Sequence, residues 1–206
     1  MSIIKLNNQG VKNATAFGSI TGLGSMTFIK KLTASSSSTL SFVDGASSVV
    51  LDNTYKEYLF TFNNMHPASD SAIFQFNVST DGGSNYNVTK TSTVFDAYHN
   101  ESGTTSALAY DTGTDLAQST GYQSIAPSLG FDADQSASGY LHLFNPSSTV
   151  FVKHFISRIN RIQYNDYSAD RYVAGYGNTT SAVDAIQFKM SSGNIDAGDI
   201  CLYGIA

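Results

Sequence analysis

Cysteine, tryptophan, proline and long apolar runs are scarce or missing in this chain of 206 residues. Cys201 is the only cysteine, which excludes a disulfide framework and CxxC metal sites within the sequence. No apolar run approaches the ~20 residues of a membrane-spanning helix, and the first residues lack the apolar core of a signal peptide. We therefore expect a protein that is made in a reducing cytoplasm and is not inserted into a membrane.

Charge is also scarce, and it is unevenly distributed. Charged residues make up 13% of the chain, against roughly a quarter in typical soluble domains. The net charge is −5, yet no acidic residue precedes Asp44, so the residues that follow the first four lysines carry −9. An acidic body lacks the basic footprint that phosphate binding requires, which argues against nucleic acid as a partner. The four early lysines are Lys5, Lys12, Lys30 and Lys31.

The chain instead has many aromatic residues, with 12 tyrosines and 13 phenylalanines. In segments such as 58–62 and 74–78, apolar residues occupy every second position, which is the period of a half-buried strand. Turn residues separate these segments, and no pattern predicts a helix longer than two turns. We expect about eight to ten strands from such spacing. The candidate segments are 26–32, 39–43, 55–62, 73–78, 106–110, 122–125, 140–144, 150–156, 159–164, 171–176, 186–190 and 200–205.

This pattern predicts an all-β fold, an antiparallel β-sandwich over residues 27–206, with a jelly roll favoured over other sandwich topologies. Three late hairpins are expected, the last joining 186–190 to 200–205. The pattern loosens between residues 96 and 135, where a short helical turn at 115–118 is expected. Long loops on a rigid scaffold commonly carry a recognition surface, so we expect one there.

Residues 1–26 have a different composition and form a predicted N-terminal arm. Four glycines interrupt short apolar pieces, so the segment buries too little apolar surface to fold alone. We expect it to be extended and to lie against the domain, a sister subunit or another protein. The residues predicted to make this contact are Ile3, Ile4, Lys5, Leu6, Val11 and Lys12.

The sequence contains few candidates for chemistry. A histidine pair, His142 and His154, would face each other across two strands in one register, but a third metal ligand is missing. A serine triad with His99 and Asp96 or Asp111 lacks a Gly-x-Ser-x-Gly elbow. Calcium binding at the Asp-rich turns 81–85, 132–134 and 196–199 stays open, although none is an EF-hand loop. We therefore expect no enzyme, no catalytic residue, no metal and no cofactor.

Tyrosines of the loop-rich region are the remaining candidates. Tyrosine is favoured at interfaces because it offers a large rigid contact area with a polar tip. Core packing explains the same residues equally well. We name Tyr98, Tyr110 and Tyr122 as possible surface recognition residues.

Several segments, distributed over most of the chain, together resemble a known group of proteins. The segments are 4–8, 81–90, 139–148, 152–155, 178–190 and the closing Tyr-Gly-Ile strand. The chain resembles small virion structural or fibre-like proteins that are encoded by marine tailed bacteriophages, including cyanophages. The shared motifs are structural, and no catalytic residue can be transferred from them.

The resemblance implies a virion protein, displayed on the particle surface as a capsid decoration or a tail-fibre component. It also implies a homo-oligomer, in particular a homotrimer, whose N-terminal arm binds capsid or tail proteins. The alternative is a carbohydrate-binding module that recognises a glycan of the host surface through its tyrosine-rich loops. A polysaccharide-degrading enzyme is a third hypothesis.

Overall fold

Buried and exposed side chains alternate along most strands of the protein. In the segment Lys153–Ile162, the odd-numbered residues are buried and the even-numbered ones are exposed or half-buried. This period of two is what a pleated strand with one face on a core requires. The computed structural model describes residues 26–206, and strands are the only regular secondary structure in that range.

Twelve strands lie between residues 26 and 206. No helix occurs in that range, so none there is long and apolar enough to cross a membrane. The strands are β1 (Met26–Thr33), β2 (Leu40–Val43), β3 (Glu57–Pro67), β4 (Ala72–Ser79), β5 (Lys90–Asn100), β6 (Ser106–Tyr110), β7 (Gln123–Leu129), β8 (Ala137–Phe144), β9 (Lys153–Ile162), β10 (Tyr167–Gly177), β11 (Ala185–Met190) and β12 (Ile195–Ile205).

The strands form two antiparallel sheets, an arrangement compatible with a β-sandwich. The larger sheet has eight strands in the order β1-β12-β3-β8-β9-β10-β5-β6, and the smaller has four in the order β2-β11-β4-β7. We call the face of the larger sheet that carries core residues its inner face, and the opposite one its outer face. Strand β7, at the edge of the smaller sheet, contacts β9 and β10 of the larger sheet.

Aromatic side chains from both sheets form the centre of the core. Phe188 of β11 lies with its ring centroid 5.5 Å from that of Phe60 and 5.3 Å from that of Phe62, both on β3 of the opposite sheet. Phe42 and Phe74, from the strands on either side of β11, complete the cluster. All five side chains are almost completely buried. Each such burial contributes roughly 1.5–3 kcal/mol, which explains why the aromatic positions hold the two sheets together.

The all-β prediction is confirmed, but the strand count of about eight to ten is too low. Strand β5 was not predicted, whereas the candidate segments 106–110 and 122–125 correspond to β6 and to the first part of β7. Segments 150–156 and 159–164, predicted as two strands, belong mainly to the single strand β9. Residues 115–118 form no helical turn.

The predicted hairpin of 186–190 with 200–205 is wrong. Strand β11 pairs with β2 and β4 in the smaller sheet, whereas β12 pairs with β1 and β3 in the larger one. The segment 191–194 therefore crosses from one sheet to the other. Both strands carry apolar residues that point into the core. Two strands paired in one sheet show this pattern, and so do two strands that face each other from opposite sheets, so the pattern alone does not distinguish the two arrangements.

The predicted N-terminal arm lies outside the described residues, except for Met26, with which β1 begins. This applies to each arm residue predicted to contact a partner. Strand β1 itself is an edge strand of the larger sheet and pairs on one side with β12. Among the described residues, β1 thus forms one edge of the larger sheet.

Candidate binding cleft

Charged side chains meet on the inner face of the larger sheet, where inward positions otherwise carry apolar residues. Asp96 of β5 lies directly opposite Arg171 of β10 in the strand register. Arg161 of β9 is paired with Ala169, one inward position further along β10. Since directly paired residues share a sheet face, the three side chains converge without any unusual backbone geometry.

The two guanidinium groups surround one carboxylate. Arg171 places Nη1 2.7 Å from Oδ2 of Asp96 and 3.1 Å from Oδ2 of Asp111, and its Nη2 donates to Oγ1 of Thr114. Arg161 donates from Nη1 and Nη2 to the two oxygens of Asp96, at 3.2 and 3.3 Å. Thr114 in turn donates to Asp111 over 2.6 Å. We call these five residues the charge network.

Burial differs sharply between the cations and the anions of the network. The side chains of Arg171 and Arg161 are 0% and 2% exposed, whereas those of Asp96 and Asp111 keep 14% and 30% of their surface. Burial lowers the pKa of Arg161, and the hydrogen bonds and charge of Asp96 oppose this effect. For Asp111, burial raises the pKa, but hydrogen bonds from Thr114, Gly113 and Arg171 outweigh it and the net shift is downward. Asp111 is therefore held as a charged acceptor.

A cleft of about 580 Å³ opens above the exposed sides of these carboxylates. Its walls include Tyr98 of β5 and Tyr167 of β10, whose ring centroids lie 5.8 Å apart at an interplanar angle of 60°. Buried Pro127 of β7 and exposed Thr105, just before β6, also line it. The cleft thus combines fixed acceptors with apolar ring surface, as small-ligand sites typically do.

The three predicted recognition tyrosines lie on three different surfaces. Tyr98 lines the cleft. Tyr110 is paired with Phe95, which places it on the outer face of the larger sheet, and its hydroxyl donates to Asp115 over 2.8 Å. Tyr122 precedes β7 in the smaller sheet, where its hydroxyl donates to Gln187 and the Nζ of Lys189 lies 4.2 Å from its ring centroid. The structure does not bring them together into one site.

An aromatic row crosses the outer face of the larger sheet. The rings of Phe95 and Tyr172 stack at 4.7 Å with an interplanar angle of 7°, and the guanidinium of Arg158 lies 4.9 Å from the centroid of Tyr172. Arg158 also donates from Nε to both carboxylate oxygens of Asp170 and from Nη2 to Oδ2. Consecutive strand pairings connect five positions, which we call the outer row: Tyr140, Arg158, Tyr172, Phe95 and Tyr110.

The structure gives little geometric support to the histidine pair, the serine triad and the metal site considered from the sequence. His142 is paired with Ile156, so the strand register in which His142 and His154 would face each other is not the one formed. His99 and Asp96 occupy odd and even positions of β5 and face opposite sides of the sheet, so no triad forms from them. Between residues 26 and 206, no three His, Cys, Asp or Glu side chains are grouped to hold a metal ion.

The network residues Arg161, Arg171 and Thr114 were not recognised from the sequence. A signal was nevertheless present, because both arginines occupy inward positions among buried apolar neighbours such as Ile159 and Val173. Charged residues are almost never fully buried unless they are paired. A strand with one charge on its apolar face therefore predicts an ionic partner on an adjacent strand.

Comparisons of the chain with protein-family models, with curated proteins and with solved structures found no match.

Proposed function

We propose that this chain is a non-enzymatic structural protein of a tailed-phage particle, displayed on its surface as a capsid decoration or tail-fibre component. The resemblance of its segments to marine phage virion proteins motivates the proposal. The arm over residues 1–26 would serve as the anchor, reaching capsid or tail proteins from the sheet edge at which β1 begins. The location of the protein would accordingly be the virion, after synthesis in the host cytoplasm.

The strand order is the observation that carries the proposal. Eight strands pair in the nested order of a jelly roll: β1 with β12, β2 with β11, β3 with β8 and β4 with β7. They would form its two four-stranded sheets, β1-β12-β3-β8 and β2-β11-β4-β7. Two inserted pairs, β5–β6 and β9–β10, would extend the first sheet beyond β8. Jelly rolls are common in viral capsid and lectin domains, and this support is an analogy at the level of the fold.

The outer row supports an assembly role in particular. Phe95, Tyr110 and Tyr140 are exposed on a sheet face that no described element covers. Tyrosine, phenylalanine and arginine are enriched at the centres of protein interfaces. We propose that this face packs against other copies of the chain in a homotrimer.

Particle assembly tests the proposal. Phage particles produced without the endogenous protein are supplied in trans with the full chain, or with a variant lacking residues 2–25, and purified particles are analysed by quantitative mass spectrometry. The full chain is expected in the particles, and the shortened variant, checked as folded by circular dichroism, is expected to be missing from them. Equal incorporation of both would refute the anchor, and the absence of the full chain from particles would refute the structural role.

Glycan recognition is a second candidate function, and the cleft favours it. Acceptor carboxylates beside two tyrosine rings suit the hydroxyl groups and the apolar faces of a sugar. The two proposals are compatible, because a particle-surface protein that binds host glycans would serve attachment. The site would be the cleft at Asp96 and Tyr98 rather than a set of separate tyrosine-rich loops.

A further inference from the structure

We propose that the cleft above the charge network binds an uncharged sugar that carries adjacent hydroxyl groups, with Asp96 as the hydrogen-bond acceptor and Tyr98 and Tyr167 as the apolar wall. The inference deepens the second candidate function and rests on it. It does not depend on the role in the particle, because it concerns the described part of the chain alone.

Unused acceptor capacity on the two carboxylates is the first argument. A carboxylate offers about four lone-pair sites. Asp96 accepts three hydrogen bonds, and only one of them, from Arg161, reaches Oδ1. Asp111 likewise accepts one bond at Oδ1, from the backbone of Gly113. Both oxygens therefore keep the capacity to accept a hydrogen bond from a hydroxyl group of a ligand, and two such acceptors suit a pair of adjacent hydroxyls.

The buried arginines explain why these acceptors are rigid. Placing two guanidinium groups in a nearly dry sheet interior carries a desolvation penalty that a hydrophobic pair would avoid. The Nε atoms of Arg161 and Arg171 are buried and lack hydrogen-bond partners, which adds to that penalty. If the network served stability alone, we would expect its carboxylates to be buried away from solvent as its arginines are. Here the carboxylates face the cleft, so the arginines act as positioning residues for Asp96.

The equal numbers of positive and negative groups in the charge network favour an uncharged ligand. The network contains two guanidinium groups and two carboxylates, so it presents no net charge to the cleft. Arg161 also lines the cleft, but its side chain is only 2% exposed and that of Arg171 is fully buried, so the carboxylate oxygens supply most of the exposed surface of the network. An acidic sugar or a phosphate would approach these oxygens against like charge, in a chain whose net charge is already −5. A ligand rich in hydroxyl donors meets no such repulsion.

The inserted strands provide all of these groups. Asp96 lies on β5, Arg161 on β9 and Arg171 on β10, and Asp111 directly follows β6. None of the four residues belongs to the eight strands of the proposed jelly roll. The cleft volume of about 580 Å³ lies within the range of roughly 300–1,000 Å³ that small-ligand pockets occupy.

Ligand-observed NMR with the full chain tests the inference. Saturation-transfer difference spectra are recorded with galactose, mannose, N-acetylglucosamine and their common disaccharides. N-Acetylneuraminic acid and galacturonic acid are the acidic comparators. We expect at least one uncharged sugar to bind with a dissociation constant in the millimolar range, on the order of 1 mM, and the acidic sugars to bind at least about tenfold more weakly.

Two threonine variants provide a matched comparison. Thr105 is exposed on the cleft rim, and Thr93 is exposed on the outer face of β5, so Thr105→Trp fills the cleft whereas Thr93→Trp does not. We expect Thr105→Trp to reduce binding at least about tenfold and Thr93→Trp to leave it unchanged. Asp96→Asn should abolish binding as well, but it also disturbs the network, so Thr105→Trp is the decisive variant.

Three outcomes would overturn the inference. The first is no binding of any uncharged sugar up to about 20 mM. The second is preferential binding of the acidic sugars. The third is unchanged sugar binding by the Thr105→Trp protein. None of these results affects the particle assembly experiment, so the two proposals can fail separately.

Discussion

Asp96 and Arg171 face each other directly across β5 and β10, with Oδ2 of the carboxylate 2.7 Å from Nη1 of the guanidinium. The arginine side chain is completely buried, and the carboxylate reaches the surface of a cleft. The pair therefore connects the interior of the larger sheet to the wall of the cleft. The contribution of this pair to stability can be measured separately from its proposed role in ligand binding.

Removal of the carboxylate should destabilise the fold. In Asp96→Ala, both buried arginines lose their shared partner, and breaking a buried ion pair in this way costs about 3–5 kcal/mol. Urea unfolding measures the loss. The matched control is Asp170→Ala, which breaks an exposed pair with Arg158 on the outer face and should change stability little. A similar small change for both variants would contradict a buried network.

Lys90 should make stability depend on pH. It is fully buried, its Nζ donates to Asn77 and Val88, and burial lowers its pKa from 10.5 to about 7. Between these two values the unfolded chain binds a proton that the folded protein does not bind. Stability should therefore increase as pH rises from about 7 towards 10, and decrease as pH falls through this range. Urea unfolding at several pH values measures the slope.

Lys90→Met provides the control for this pH dependence, because methionine keeps most of the side-chain volume without a titrating group. The positive slope between pH 7 and 10 should be reduced in the variant relative to the original chain. Parallel curves for the two proteins would mean that Lys90 retains an ordinary pKa despite its burial.

Phe188 should be among the most sensitive core positions. It contacts aromatic rings from both sheets, and Phe188→Ala should cost about 3–5 kcal/mol, because a cavity remains where the ring was. Thermal and urea unfolding measure this change. Phe151, which is 68% exposed, provides the comparison, and Phe151→Ala should stay within about 0.5 kcal/mol of the original chain.

The outer row should control self-association. Analytical ultracentrifugation of the full chain is expected to give a trimer, and the double variant Phe95→Ser, Tyr110→Ser is expected to shift the protein to monomers. The matched control is Phe131→Ser, which removes a comparably exposed aromatic ring away from the row. Loss of the trimer in both variants, or in neither, would count against the outer face as the interface.

The sequence predicted the fold class well, because alternation of apolar residues is a local property. Segments 58–62 and 74–78 display it clearly, and they became the centres of β3 and β4. Strand β5 was missed since its inward positions include Lys90, Ser92 and Asp96, which conceal the alternation. Two of the residues that conceal this strand therefore have roles of their own: Asp96 belongs to the charge network, and Lys90 is the buried lysine that donates to Asn77 and Val88.

The pairing of distant segments could not be predicted in the same way. Asp96 and Arg171 are 75 residues apart, and their contact depends on the position of β10 between β5 and β9. The short connection from β11 to β12 resembles a hairpin turn in sequence, although it crosses between sheets. The local sequence pattern shows which side chains of a strand point into the core. It does not show which strands are its neighbours in the sheet, because long-range packing determines them.

Imaging of intact particles tests whether this protein is a component of the virion surface. Phage particles whose own genome encodes this chain are purified. They are then examined by cryo-electron microscopy at a resolution that resolves side chains. We expect trimers of the two-sheet domain on the capsid or tail surface, with residues 1–26 in contact with a capsid or tail protein. Particles that lack this domain, or that carry it without any contact from residues 1–26, would refute the proposed role in the virion.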